Sequence, residues 1–197
     1  MTLLSTPSLR RAVLIVALAN LAYFAVEFWV ARQIGSVSLF ADSVDFLEDA
    51  SVNLLILAAL GWSAKNRARV GVGLAALLLA PGLATVWTIV TKFTHPQVPD
   101  PSLLSITGLG ALGVNLACAS LLARYRDHAG SLTRAAFLSA RNDALANIGI
   151  IGAGLLTAVT HLFWPDLIVG IAIAAMNIDA AKEVWQAARR EGVEAKA

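Results

Sequence analysis

The sequence has little of what a water-soluble chain depends on. Only 14% of its 197 residues are charged, against about 25% in soluble domains. There is one cysteine, Cys118, inside an apolar run, which excludes an intrachain disulfide and a thiolate cluster. The three histidines, His95, His128 and His161, all lie between the long apolar runs, where solvated side chains are expected. Excess charge of one sign is also missing. The isoelectric point is near 9.0, but the net charge is only +2 and the basic residues fall in short clusters. That placement excludes nucleic acid as a partner and fits membrane topology. No stretch shows the period-two alternation of a transmembrane barrel strand.

What is present is apolar. Ala, Val, Ile, Leu, Met, Phe, Trp, Tyr and Cys make up 58% of the chain, and the mean hydropathy is +0.72. A helix needs about 20 mostly apolar residues to cross a bilayer. Six stretches qualify: 9–31, 36–62, 70–92, 102–123, 134–160 and 165–188. Lipid offers no partner for an open backbone amide, so helices are the expected form. The run after Arg10 and Arg11 is too long for the apolar part of a signal peptide. Gly35, the prolines Pro96, Pro99 and Pro101, and Trp164-Pro165-Asp166 mark helix ends.

The expectation is therefore an all-α membrane protein, a six-transmembrane-helix bundle spanning 9–190. Short tails, 1–8 and 191–197, lie on either side. With both termini in the cytoplasm, twelve of the fifteen Lys and Arg residues fall inside, whereas Arg32 and Lys92 fall outside and Arg141 lies within a helix. This satisfies the positive-inside rule.

Ionisable residues inside such helices are costly, so each is a functional candidate. In the second helix Asp42, Asp45, Asp49 and Asn53 share one face at about 100° per residue. Asp45 and Asp49 are one turn apart and repel when both are ionised. A cation relieves that repulsion, and so does a proton, so one can be exchanged for the other. In the fifth helix Ser139, Asp143 and Asn147 form a second stripe with Asn142 at its edge. Counted from the helix ends, Asp45, Asp49 and Asp143 all lie near the bilayer midplane, which suggests a metal site. Asn53 and Asn147 either line it or hydrogen-bond between helices. Asn20 and Asn115 are deep enough to line the same cavity. Glu27 is expected nearer the outer surface, guiding cations, and Asp42 near the outer mouth or behind the ligands. Glu48 and Arg141 point away from the stripe and are expected to pair. Asp179 has no assignment. The pairs Gly71/Gly73, Gly108/Gly110/Gly113 and Gly149/Gly152/Gly154 are expected at close helix contacts.

The run Gly35-Ser36-Val37-Ser38-Leu39-Phe40-Ala41-Asp42-Ser43-Val44-Asp45-Phe46-Leu47-Glu48-Asp49 resembles the helix-two signature of the cation diffusion facilitator family, G-S-x-x-L-x-A-D-x-x-[HD]-x-x-x-D. Ser139-Ala140-Arg141-Asn142-Asp143 stands where the family has [HD]-x-x-x-D. The resemblance implies metal/proton antiport, with Asp45, Asp49 and Asp143 as metal ligands, and a homodimer. Ser139 replaces a strong ligand, so Ser139, Asn142 or water would complete the shell. The family's usual cytoplasmic C-terminal domain and its His-rich loop are absent, as in a short branch limited to the membrane domain.

An all-oxygen shell suits hard cations such as Mn, and does not exclude Zn, Co or Fe. No resident cofactor is expected. The divalent cation, such as Zn, Co, Fe, Mn or Cd, is cargo, exported from the cytoplasm by alternating access. The expected setting is the plasma membrane, the inner membrane of a bacterium. The alternative is a non-transporting scaffold or degenerate subunit of an efflux system. No enzymatic constellation of Ser with His, or of paired metals, is present at helix depth.

Overall fold

A computed structural model describes residues 7–59, 83–124 and 131–177; the side chains of 55, 56, 58, 59 and 131–141 lie outside the description. Among the described residues there are six helices and no strand. They are α1 (Pro7–Ile34), α2 (Val37–Ala59), α3 (83–94), α4 (Pro101–Ala123), α5 (Ser131–Thr160) and α6 (Trp164–Asn177). The expected bundle is present, with shifted edges. α1 continues to Ile34 and α5 begins at Ser131. Gly71, Gly73, Asp179 and residues 1–6 and 191–197 of the expected tails fall outside the described residues, whereas Pro7 and Ser8 belong to α1.

Pro7–Ile34, Pro101–Ala123 and Asn142–Thr160 are long and apolar enough to cross a membrane. At about 1.5 Å per residue, the 23 residues of α4 reach about 35 Å, enough for a hydrocarbon core of about 30 Å. α2 is as long as α4, but four carboxylates interrupt its apolar surface.

The surface is the reverse of a soluble protein's. Leu14, Leu18, Trp29, Ile106, Leu109 and Val159 are exposed, whereas Asn20, Glu27, Asp42, Asn115 and Asn147 are buried. Apolar side chains facing outward meet lipid tails, and polar groups facing inward find partners on neighbouring helices. α1 packs on α2 and α4, α4 on α5, and α5 on α2.

Local chemistry sets the helix ends. Gly35 adopts φ 65° and ends α1. The Ser36 N–H donates to Ala31 O at 3.0 Å, the six-to-one bond of a Schellman ending. Ser36 then starts α2, its Oγ accepting from the Leu39 N–H at 3.1 Å. Asp100 starts α4 in the same way, accepting from the Leu103 N–H at 2.8 Å ahead of Pro101.

Close approaches depend on a few glycines. A Cβ on Gly110 would strike the Tyr23 hydroxyl, and one on Gly154 would strike the Ser105 hydroxyl. The expected close packing fails at Gly113 and Gly152, where a Cβ would meet nothing within 4 Å among the described residues. Gly170 lets α6 meet the start of α2. A Cβ there would lie 2.6 Å from Val37 Cγ1 and 2.8 Å from Ser38 N. Backbone cannot step aside as a flexible side chain can. Gly170→Ala is therefore expected to cost about 1–3 kcal/mol, read as a lower melting temperature in detergent.

Candidate functional site

Asp45, Glu48 and Asp49 straddle the middle of α2, and Asp143 lies at the middle of α5. The Asp143 carboxyl group is within hydrogen-bonding reach of Asp49 and also interacts electrostatically with Asp42 and Glu48. Asp45 interacts with Asp143, Asp42, Glu48 and Asp49. Asp45, Asp49 and Asp143 thus lie in one electrostatic field. All three are partly exposed. Among the described residues, no three acidic, His or Cys side chains are arranged to hold a metal ion.

Behind these carboxylates is a buried polar layer. The Asn147 Nδ2 donates to Asp42 Oδ2 at 2.7 Å. The Asn115 Nδ2 donates to Asn147 Oδ1 at 3.3 Å. On the α1 side, the Cys118 thiol approaches Asn20 Oδ1 at 3.8 Å. Asn20, Asp42, Asn115 and Asn147 are all buried. Of the two roles open to it, Asn147 takes that of a link between helices, joining α5 to α2 and α4.

Several expectations need correction. Among the described residues Asn53 does not bridge helices. Its Nδ2 donates to the Asp49 carbonyl at 2.8 Å, one turn back along α2. Glu27 does not face the outer bath. It is fully buried and its carboxyl group lies within hydrogen-bonding reach of Asp42. The position of Glu27 on α1 placed it toward one end, but its phase turns it inward against α2. Asp42 is equally buried, so it belongs behind the partly exposed Asp45, Asp49 and Asp143 rather than at the mouth. Asn142 is exposed, unlike Asp143 beside it. Ser139 and Arg141 have side chains outside the described residues, so the fourth ligand and the Glu48–Arg141 pair fall there too.

One buried constellation escaped the sequence. Asp166, beyond Pro165 in α6, accepts four hydrogen bonds from the start of α2. They come from Ser36 Oγ at 2.6 Å, Val37 N at 2.9 Å, Ser38 N at 3.1 Å and Ser38 Oγ at 2.7 Å. Lys92 of α3 lies 3.6 Å from Asp166 Oδ2 and donates to the Gly35 carbonyl. Lys92, expected on the outer side, is buried, with only 4% of it exposed. An available signal was the Ser36-Val37-Ser38 helix start, whose free N–H groups attract an anion.

Tyr23 of α1 closes the layer on another side. Its hydroxyl donates to the Thr107 carbonyl at 2.7 Å, and its ring lies 5.1 Å from that of Phe46. α1, α2, α4 and α5 thus enclose a polar interior whose partly exposed edge is acidic. Such an edge can bind cations or protons. A family model described as the cation efflux transmembrane domain matches residues 13–189 of this chain.

Proposed function

Because the chain belongs to the cation efflux family, whose members carry metal cations out across membranes, we propose that it exchanges divalent cations for protons at Asp45, Asp49 and Asp143. The observation that carries this reading is the approach of Asp143 to Asp49, with Asp45 in the same electrostatic field, near the middle of α2 and α5. Three carboxylates crowded in a poorly solvating interior need positive charge. A divalent cation supplies it in one state and protons in the other. Partial exposure of all three suits a site that cargo enters and leaves.

The ligand set offers only oxygen, so Mn is favoured on chemistry, with Zn, Co, Fe and Cd as further cargo candidates. Ser139 or water completes the shell, since Asn142 is exposed. Export proceeds by alternating access, with the site open first to the cytoplasm and then outside. The protein acts in the plasma membrane as a homodimer, which cross-linking in native membranes tests.

The deciding experiment is metal-driven proton flux into liposomes holding the purified protein and a pH dye. Flux is expected for at least one of Zn, Co, Fe, Mn and Cd. Silence for all five would reject exchange and favour the scaffold reading.

A further inference from the structure

Among the described residues Glu27 is the one buried side chain with both carboxyl oxygens lacking a hydrogen-bond donor. It is fully buried. Its neighbour within hydrogen-bonding reach is another fully buried carboxyl group, that of Asp42. Asp42 Oδ2 is taken by Asn147, and Asp42 Oδ1 has no donor either. Among the described residues neither acid forms an ion pair.

Ionised carboxylates are acceptors only, so two of them facing each other repel and cannot bond. One proton between them changes that. The protonated acid becomes a donor, and the contact becomes a short, charge-assisted O–H···O⁻ bond. The other titratable groups acting on the pair are Tyr23 on α1, Asp45 and Asp49 on α2, and Asp143 on α5. None of them supplies the positive charge that two carboxylates would need.

We propose that Glu27 and Asp42 share one proton, forming a proton-binding site between α1 and α2 that is separate from the carboxylates assigned to the metal. The asymmetry of the pair assigns the proton. Asn147 donates to Asp42, which suits Asp42 as the ionised member, so Glu27 carries the hydrogen. Asn115 fixes the Asn147 amide by donating to its oxygen. Asn147 is one turn beyond Asp143 on α5. A shift of Asp143 therefore moves the amide that holds Asp42.

The test is an infrared difference spectrum, wild type minus Glu27→Gln, of the full chain in lipid nanodiscs at neutral pH. The expected result is one protonated-acid C=O band that moves to lower frequency in heavy water. The same band should persist when the difference is taken on an Asp49→Asn background. A glutamine amide replaces a protonated acid as a donor, so Glu27→Gln should fold and melt like the wild type. Loss of an ionised-carboxylate band instead, or failure of Glu27→Gln to fold, would overturn the proposal. The readout requires no transport. Absence of metal flux would sink the exchange reading and leave this band in place.

Discussion

Asp49→Asn and Asp143→Asn are each expected to lower divalent-cation flux by about 100-fold or more, with the protein still folded. Asparagine keeps the shape of aspartate and removes its charge. It also brings an N–H that can bond the remaining carboxylate across the α2–α5 contact, so the positive charge is no longer required. Even groups behind metal ligands change affinity by about 10–100-fold when replaced, and a ligand itself should matter at least as much. Folding should survive because both residues are partly exposed. The check is metal uptake by proteoliposomes beside size-exclusion profiles of the same preparations. Flux that persists in both variants would place the transport site elsewhere.

The second large effect belongs to stability. Asp166→Ala is expected to cost about 3–5 kcal/mol, the range for breaking a buried ionic contact from one side. The substitution strips partners from two backbone N–H groups, two serine hydroxyls and the Lys92 ammonium group. All of these groups are buried. Lys92→Met should cost less, because Asp166 retains all four donors at the start of α2. Thermal unfolding in detergent reads the order directly. If Lys92→Met proves as damaging as Asp166→Ala, Asp166 does not act mainly through the start of α2.

Much of the architecture was legible because lipid imposes strict rules. Long apolar runs, proline breaks and Gly35 defined the helices, since an open backbone is not tolerated in hydrocarbon. The carboxylates stood out for the same reason. Their joint placement followed from phase and depth, both of which are properties of a single helix. What stayed hidden depends on how helices are turned toward one another. Glu27 sits at a position that sequence alone assigns to the outer half of α1, yet its burial follows from the rotation of α1 against α2. Asn53 shows the opposite case. It shares the acidic face, but an amide one turn from the Asp49 carbonyl bonds within its own helix. Lys92 and Asp166 are 74 positions apart in the sequence, and nothing local joins them. The glycines divide in the same way. Gly110 and Gly154 face neighbours, whereas Gly113 and Gly152 do not, and only the packing distinguishes them.

The anchoring of α2 at Ser36 has a mechanical consequence. α2 is held at one end by α6 and α3, and its other end lies at Ala59. A rod fixed this way can act as a lever with its fulcrum at Ser36. At about 1.5 Å per residue, Asp45 lies about 12 Å from the fulcrum and Ala59 about 33 Å. A tilt of about 10° moves the first by about 2 Å and the second by about 6 Å. Two ångströms is enough to make or break an oxygen–metal contact, whose length is about 2.0–2.6 Å. A swing that would change the grip on an ion bound at Asp45 is thus magnified almost threefold at Ala59.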